Sequence, residues 1–228
     1  MKISKEHNNR KFYNWVIYDI GDKWLRRFTD KYKGNLYDLG CGEMPFKNWL
    51  LNYAETYTGV DWGNSLHTIE ADILADLNKP LPIQDKVADT VISFSVMEHL
   101  CEPQLFLDEA HRILKPGGWV ILQVPFMWHV HEAPYDYFRY TRYGLLYMFE
   151  KSGFSEITIY SQTGFWVMWI LKFNYQTRRL IKGPAIIRNA ISLLLRIVWW
   201  INQHFALILD NYFKNESETA SYFVIARK

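Results

Sequence analysis

Hydrophobic and polar residues alternate with two different periods along this chain, and the changes of period mark a series of elements. Short apolar runs bounded by glycine, proline or polar residues predict strands near 35–39, 56–61, 67–70, 89–94, 118–125, 154–160 and 220–227. Helical spacing predicts helices near 10–31, 45–53, 103–114 and 141–152, with Thr141 as N-cap of the last helix and Gly153 at its end. Strands that alternate with helices predict an α/β fold, a mostly parallel sheet with helices on both faces.

A long segment of about 60 residues separates the last two predicted strands. From Ile157 to Leu209 it contains no acidic residue, but it is rich in basic and aromatic residues: Lys172, Arg178, Arg179, Lys182, Arg188, Arg196, Trp166, Trp169, Trp199 and Trp200. Read as a helix, residues 185–205 are mostly apolar apart from one narrow stripe formed by Arg188, Ser192, Arg196, Trp199 and Gln203. The longest uncharged run, Ile197 to Leu209, has 13 residues, which is too short to span a bilayer. The segment could lie in an anionic membrane surface; packing on the core and a homodimer contact are the alternatives.

Bulk properties limit the classes of protein to consider. With 228 residues, the chain suits one domain (1–160 and 219–228) that carries an inserted helical segment (161–218). A formal charge of +2 gives no argument for a nucleic-acid partner. Two cysteines provide neither a disulfide framework nor a cysteine metal cluster. The polar, charged start lacks a signal peptide, so a cytoplasmic location is expected, with the inner face of the membrane as the site of any lipid contact.

The most informative local feature is a glycine turn followed by an acidic strand end. Asp38-Leu-Gly-Cys-Gly42 follows the first strand, and Asp61 closes the second. Such a turn lets the backbone approach a ligand, and an acidic residue about 20 residues later can accept both hydroxyls of a ribose. Phe46 replaces the third glycine of a dinucleotide loop, and Glu43 would repel a pyrophosphate. The ligand is therefore expected to be an adenosine without phosphates.

These residues resemble motifs I and II of the class I S-adenosylmethionine (SAM)-dependent methyltransferases. Further segments resemble that family in the same order: Ala71-Asp-Ile-Leu74, Ala88–Ser95 as motif IV, Glu98-His-Leu100, and Leu114-Lys-Pro-Gly-Gly118 before a strand. The resemblance covers roughly residues 34–160. It implies a Rossmann-like sheet of seven strands with the last one antiparallel, SAM as cofactor, and methyl transfer as the reaction.

The resemblance also assigns residues to parts of SAM. Asp38 is expected to receive the methionine amino group, and the turn of Gly40, Cys41 and Gly42 to lie near the amino-acid part, with the Cys41 side chain as a packing residue. Asp61 should hold the ribose hydroxyls. The remaining expected contacts are Trp62 on the adenine face, Asp72 and the backbone of Ile73 at the adenine edge, and Ser93 and Phe94 at the motif IV turn. Local capping of turns is the alternative role for Asp38 and Asp72, and His99 is interpreted as structural.

The stretch after the fifth predicted strand contains His131-Glu-Ala-Pro-Tyr-Asp-Tyr-Phe-Arg-Tyr-Thr141. This segment resembles a signature of bacterial methyltransferases encoded among sugar and cell-surface polysaccharide genes, so the acceptor side is expected here. His131 is the first candidate for the general base and His129 the second, because imidazole can remove a proton from an attacking hydroxyl near neutral pH. Asp136 or Glu132 could orient the imidazole. Arg139 could bind an anionic group of the acceptor, and Tyr135 or Tyr137 could stack on a sugar.

Structural roles remain open for several of these groups. Asp136 and Arg139 lie three residues apart and could simply pair with each other, and either histidine could be a satisfied polar group. A metal site of the two histidines with Glu132 is the lesser alternative, because metal-dependent O-methyltransferases of this fold draw acidic ligands from the motif IV region, where Ser93–Val96 offers none. No metal is therefore expected.

The sequence thus predicts a SAM-dependent O-methyltransferase. The preferred acceptor is a sugar hydroxyl in a polysaccharide, glycolipid or nucleotide-sugar pathway, presented as a small molecule or on a lipid. A lipophilic quinone- or polyketide-type acceptor at the membrane is the first alternative. A non-catalytic SAM-binding partner subunit that docks through 161–218 is the second. Nucleic acid is not expected as a partner, because the motif IV of amino-group DNA methyltransferases is absent.

Overall fold

Seven strands form one sheet in a computed structural model that describes residues 3–4, 7–63, 70–213 and 215–228. The strands are β1 (Asn35–Leu39), β2 (Thr56–Asp61), β3 (Ile73–Leu74), β4 (Ala88–Phe94), β5 (Leu114–Pro125), β6 (Ser155–Ser161) and β7 (Ser221–Arg227). Their order is β3-β2-β1-β4-β5-β7-β6. The first five pair in parallel, and β7 runs antiparallel to β5. The predicted Rossmann-like, mostly parallel sheet is confirmed.

One strand differs from the prediction. The expected third strand near 67–70 lies outside the described residues except for Glu70, which is not in a strand. The third strand of the sheet is instead β3, where Ile73 pairs with Val60 and Leu74 with Asp61. Two residues are too few to show a hydrophobic period, so the sequence pattern could not identify this strand.

Six α-helices and a 3-10 turn (Met97–His99) accompany the sheet among the described residues; the α-helices are α1 (Trp15–Arg27), α2 (Lys47–Leu50), α3 (Pro103–Ile113), α4 (Arg142–Lys151), α5 (Phe165–Arg178) and α6 (Ala185–Tyr212). Two are shorter than predicted. A local turn precedes α1, where the Asn14 side chain accepts a hydrogen bond from the Lys11 amide. Around α2 the turns are closed mostly by bonds between residues three apart, which do not extend an α-helix. The N-cap of α4 is as predicted, since the Thr141 hydroxyl accepts from the Gly144 amide.

The chain divides into two compact units. The sheet unit comprises residues 26–126, 130–160 and 221–228. Its core is centred on β4 and β5, where Val91 pairs with Val120 and Ile92 with Ile121. All four side chains are fully buried. Burial of both faces of these central strands explains why they are continuous apolar runs.

The helical unit comprises residues 1–25, 127–129 and 161–220. It therefore includes the first 25 residues as well as the 161–218 segment, whereas the sequence assigned all of 1–160 to the sheet domain. The physical reason is that Val16 and Ile20 of α1 share a core with Val167 and Leu171 of α5. The polar amide of Gln203 in α6 is fully buried in this unit and binds the Val16 amide at 3.1 Å and the Phe12 carbonyl at 3.1 Å.

The outward face of α6 is apolar. Its exposed large hydrophobic residues are Ile186, Ile187, Leu193, Leu194, Ile197, Trp200, Ile201, Phe205, Ile208 and Tyr212. Of the stripe predicted along this helix, Trp199 and Gln203 are buried, whereas Arg188 and Arg196 are exposed. By length and composition alone, the helix Ala185–Tyr212 is long and apolar enough to cross a membrane. The sequence prediction rested on the 13-residue uncharged run within it, which is too short to do so. The helix therefore buries one polar amide among apolar side chains and also exposes a large apolar face, unlike an ordinary surface helix.

Candidate active site

The predicted site residues of the sheet unit gather at the carboxyl ends of β1, β2, β4 and β5. The order of the strands reverses between β1 and β4, since the chain runs from β1 outward to β3 and then returns to β4. Ligands of open α/β sheets bind at such a reversal, beyond the carboxyl ends of the strands. This edge carries the glycine turn after β1, the end of β2, the turn after β4 and the loop after β5.

The glycine turn has the conformation that the sequence predicts. Gly40 has a φ of +86°, and a Cβ there would lie 2.3 Å from the Val96 side chain. Gly42 has a φ of +52°, and a Cβ there would meet nothing within 4 Å. Gly40 is thus required for packing of the turn, whereas the open space at Gly42 leaves its backbone accessible to a ligand.

Asp61 is fixed by the turn that it faces. Its carboxylate accepts hydrogen bonds from the Gly42 amide at 2.7 Å and from the Trp62 amide at 2.6 Å. A carboxylate has about four lone-pair sites, so two acceptor positions remain for a pair of ribose hydroxyls. The chemistry and placement of this group fit the ribose of SAM.

Asp38 is a buried carboxyl at the end of β1, and the Tyr57 hydroxyl donates a hydrogen bond to it. Burial raises the pKa of Asp38 to about 7, although the bond from Tyr57 lowers it and nearby Asp61 raises it further. A cation placed beside this group would stabilise its ionised form. The methionine ammonium of SAM is such a cation, so Asp38 fits the role that the resemblance assigns to it.

The other expected cofactor contacts have partners of their own. Asp72 accepts a hydrogen bond from the Gly59 amide at 2.8 Å. Ser93 is buried and donates to the Leu39 carbonyl at 2.5 Å, which ties β4 to β1. Ile73 belongs to β3, Cys41 is buried, and Phe94 packs edge to face on Phe46. The roles of these residues toward SAM remain predictions.

In the acceptor loop, Asp136 and Arg139 form an ion pair, which is one of the two alternatives considered for these residues from the sequence. The two guanidinium nitrogens lie 2.6 and 2.8 Å from the two carboxylate oxygens. Burial alone would raise the pKa of Asp136, but the bonds from Arg139 and the His131 amide lower it to about 2. The His131 ring joins this pair, with Nδ1 at 3.3 Å from the Asp136 Oδ2. Asp136 therefore lies where it can orient His131, while the binding of an acceptor by Arg139 stays a prediction.

Two further residues lie at this site that the sequence treated as part of a turn. Glu98 and His99 follow β4, and the His99 and His131 rings meet edge to face with centroids 4.9 Å apart. Glu98 is fully buried, and burial raises its pKa to about 8. Burial and the neighbouring His99 lower the pKa of His131. The sequence contains a signal for this group, namely a Glu-His pair after one central strand and a histidine after the next. The signal brings these residues together because β4 and β5 are neighbours in the sheet.

The remaining acceptor candidates are distributed around this group. Glu132 Oε2 lies 4.0 Å from His99 Nε2, and Tyr135 packs edge to face on Trp62 with centroids 5.4 Å apart. The Tyr137 side chain is exposed. His129 belongs to the helical unit, where its ring lies 4.6 Å from the Tyr175 ring. Of the two candidate bases, it is thus His131 that lies beside Asp136.

Comparison with known proteins agrees with this geometry. Residues 37–122 match the model of a methyltransferase domain. A probable S-adenosylmethionine-dependent methyltransferase from Mycolicibacterium smegmatis is 27% identical over 116 residues, 45% of each chain. A ubiquinone biosynthesis O-methyltransferase from Pseudomonas aeruginosa is 27% identical over 99 residues, 37% of this chain and 41% of the relative. The chain thus spans less than half the length of these relatives.

The fold has known counterparts as well. The crystal structure of a SAM-dependent methyltransferase from Archaeoglobus fulgidus superposes with a TM-score of 0.55 at 17% identity, covering 90% of this chain and 92% of that one. The fold is thus that of solved SAM-dependent methyltransferases, and residues 37–122 are similar to a methyltransferase domain.

Proposed function

We propose that this protein transfers the methyl group of SAM to a hydroxyl of a lipid-linked sugar at a membrane surface. The observation that carries the proposal is the His131–Asp136 pair, a histidine beside a carboxylate at the same sheet edge as the cofactor turn. Alcohols need a proton acceptor when they attack an electrophilic methyl group, and a positioned imidazole is suited to that role.

Each residue of the site has one task in this reaction. SAM, when bound, supplies a methyl group on a positively charged sulfur. Asp61 and the Gly42 turn would hold its ribose and amino-acid parts, and Asp38 its ammonium group. His131 would accept the proton of the acceptor hydroxyl at Nε2, while Asp136 holds Nδ1. Because Arg139 fixes Asp136 through two hydrogen bonds, the imidazole is positioned before the acceptor arrives.

The helical unit supports an acceptor that resides in a membrane. The outward face of α6 is apolar over most of its length, and helices with such a face can lie in the lipid headgroup region. The basic side chains of Arg178, Arg179, Lys182, Arg188 and Arg196 are exposed. Their positive charge is complementary to anionic lipids, and each basic residue near such a surface contributes about 1 kcal/mol to the free energy of binding.

The sugar part of the proposal is supported by the acceptor loop. Tyr135 and Tyr137 are 38% and 44% exposed beside the histidine group, and exposed aromatic rings offer flat surfaces for a sugar ring. The loop also carries the segment that resembles methyltransferases of polysaccharide gene clusters.

A quinone-type acceptor is the second candidate, because relatives of this chain are named ubiquinone biosynthesis O-methyltransferases. It would use the same histidine and the same apolar face of α6.

Methyl-labelled SAM incubated with a lysate of the source organism tests the acceptor class, with the Asp61→Ala variant as control. Label in a lipid fraction that mild acid converts to a methylated sugar supports the proposal, and label on a lipid without sugar supports the quinone-type acceptor. Label confined to water-soluble molecules contradicts a membrane-borne acceptor. No label above the control, with SAM binding intact, favours the non-catalytic partner subunit.

Sedimentation with vesicles of phosphatidylcholine and phosphatidylglycerol tests the membrane contact. We expect binding at low salt that weakens at high salt, and loss of binding in Leu194→Glu and Ile197→Glu. Leu74→Glu is the matched control, because Leu74 is 66% exposed on β3, in the sheet unit. Equal binding by all variants would contradict the role of α6, and a dimer that dissociates in Ile197→Glu would favour a contact between copies.

A further inference from the structure

Two imidazole rings and one buried carboxylate converge on a single point of the sheet unit. Glu98 Oε1 lies 3.7 Å from His99 Nε2 and 4.0 Å from His131 Nε2. The ligand atoms of these three residues all lie within 4.8 Å of one another. Glu98 and His99 come from the turn after β4 and His131 from the loop after β5, so two neighbouring strands position the group.

The Nδ1 atom of each ring has neighbours other than Glu98. His99 Nδ1 lies 2.5 Å from the Tyr135 carbonyl, which can only accept, so Nδ1 carries the proton and the lone pair of the neutral ring is at Nε2. His131 Nδ1 lies 3.3 Å from Asp136 Oδ2 and 3.4 Å from an Arg139 nitrogen. Arginine can only donate, so a bond from Arg139 requires the lone pair at Nδ1, whereas a proton on Nδ1 that is donated to Asp136 leaves the lone pair at Nε2. Binding of a cation at Nε2 requires the second of these two tautomers. Metal-binding histidines are oriented in this way by a carbonyl or carboxylate.

Glu98 provides the independent observation. Its side chain is 0% exposed, and neither carboxylate oxygen has a hydrogen-bond partner among the described residues. Its own backbone is fixed, because its carbonyl accepts from the amides of Tyr137 and Phe138 at 2.9 and 3.2 Å. A carboxylate removed from water without donors is destabilised unless it takes up a proton or a cation compensates its charge.

The geometry points to a site for one divalent transition-metal ion, bound by the Glu98 carboxylate and by Nε2 of His99 and of His131. Around an ion with bonds of about 2.1 Å, neighbouring ligand atoms stand about 3.0–3.4 Å apart. The observed distances of 3.7 and 4.0 Å would therefore close by about half an ångström. Two imidazoles with one carboxylate favour zinc, manganese or iron over magnesium or calcium. This donor set differs from the His129–His131–Glu132 combination considered from the sequence.

The consequence for the reaction rests on the proposed function. An ion at this point would lie beside the acceptor hydroxyl and lower its pKa. His131 would then hold the ion instead of accepting the proton. Glu132 is the nearby carboxylate, 4.0 Å from His99 Nε2, that could take up the proton.

Titration of the metal-free protein with Zn²⁺, followed by calorimetry, tests the site directly. We expect one ion per chain, and a visible absorption band when Co²⁺ replaces Zn²⁺. Glu98→Gln and His99→Gln should each weaken Zn²⁺ binding at least about tenfold, since each removes a ligand. His204→Gln is the control, because His204 is an exposed histidine on α6. Circular dichroism of each variant verifies folding.

No binding of Zn²⁺ or Co²⁺ by the folded wild type would overturn the site, as would equal binding by Glu98→Gln. Methyl transfer separates this inference from the proposed function. If the ion binds as expected but no acceptor fraction is methylated, the proposed function fails and the site stands. If transfer continues at an unchanged rate after complete chelation, the ion has no role in the reaction.

Discussion

The cofactor side and the acceptor side of the site are built in different ways. On the cofactor side, Asp38 and Asp61 stand at the ends of regular strands, and Asp61 is fixed by backbone amides of the turn it faces. On the acceptor side, His131 and Asp136 belong to an irregular loop. That loop is fixed by side-chain bonds, above all those of Arg139 to Asp136, and by two amides bonded to the Glu98 carbonyl.

This difference predicts that substitutions will affect cofactor binding and methyl transfer separately. A site built from strand ends and backbone amides depends on the fold, so its removal should abolish cofactor binding altogether. A site built from a side-chain network depends on a few residues, so a substitution there should slow the reaction and leave the cofactor bound. The expected effects below run from the largest to the smallest.

Asp61→Ala should abolish SAM binding. Two hydrogen bonds from ribose hydroxyls to a carboxylate contribute about 1.5–3 kcal/mol each, so the Kd for SAM should rise by at least about 100-fold. Calorimetric titration with SAM measures this. Asp76→Ala, a change of the same type in the loop after β3, should bind SAM like the wild type. Retention of tight SAM binding by Asp61→Ala would contradict the assignment of Asp61 to the ribose of SAM, and with it the comparison of the two sides.

His131→Ala should spare SAM binding and slow methyl transfer by at least about 100-fold, a typical effect of losing a general base. The loss is expected whether His131 accepts a proton or holds an ion, because both roles act on the acceptor hydroxyl. Single-turnover assays with labelled SAM measure the rate. His129→Ala is the matched control and should keep most of the activity, since His129 packs on Tyr175 in the helical unit. The opposite result would transfer the role to His129.

Asp38 should make stability depend on pH. Its pKa rises from 3.8 to about 7 on folding, so its protonated form favours the folded state. That contribution is complete below pH 3.8, decreases as the pH rises, and is lost above about 7. Within this interval the wild type should lose up to about 1.4 kcal/mol per pH unit relative to Asp38→Asn. Urea unfolding of both proteins between pH 5 and about 7.5 measures the difference; parallel curves would contradict the raised pKa.

The sequence predicted the strands that carry the cofactor side better than the contacts within the acceptor side, for physical reasons. The strands at 35–39 and 56–61 are found at the predicted residues because a short apolar run and a glycine turn are local signals. The Glu98–His131 contact depends on which strands are neighbours in the sheet, and no local pattern carries that information. Along α6, periodicity identified a polar stripe but could not show that the Gln203 part of it is buried and the apolar face exposed.

The two sides meet where the Trp62 ring packs edge to face on Tyr135, and this contact gives the smallest expected effect. Edge-to-face pairs contribute about 0.5–1.5 kcal/mol beyond burial, and partial exposure of Tyr135 favours the lower end. A double-mutant cycle of Trp62→Ala and Tyr135→Ala on the free energy of unfolding should therefore give a coupling of about 0.5–1 kcal/mol. The same cycle on the Kd for SAM shows whether the acceptor loop senses the cofactor. The Trp62 ring packs on Tyr135, so a positive coupling energy for SAM binding would mean that SAM binding orders the acceptor loop. Strictly additive effects on the Kd would mean that the two sides act independently.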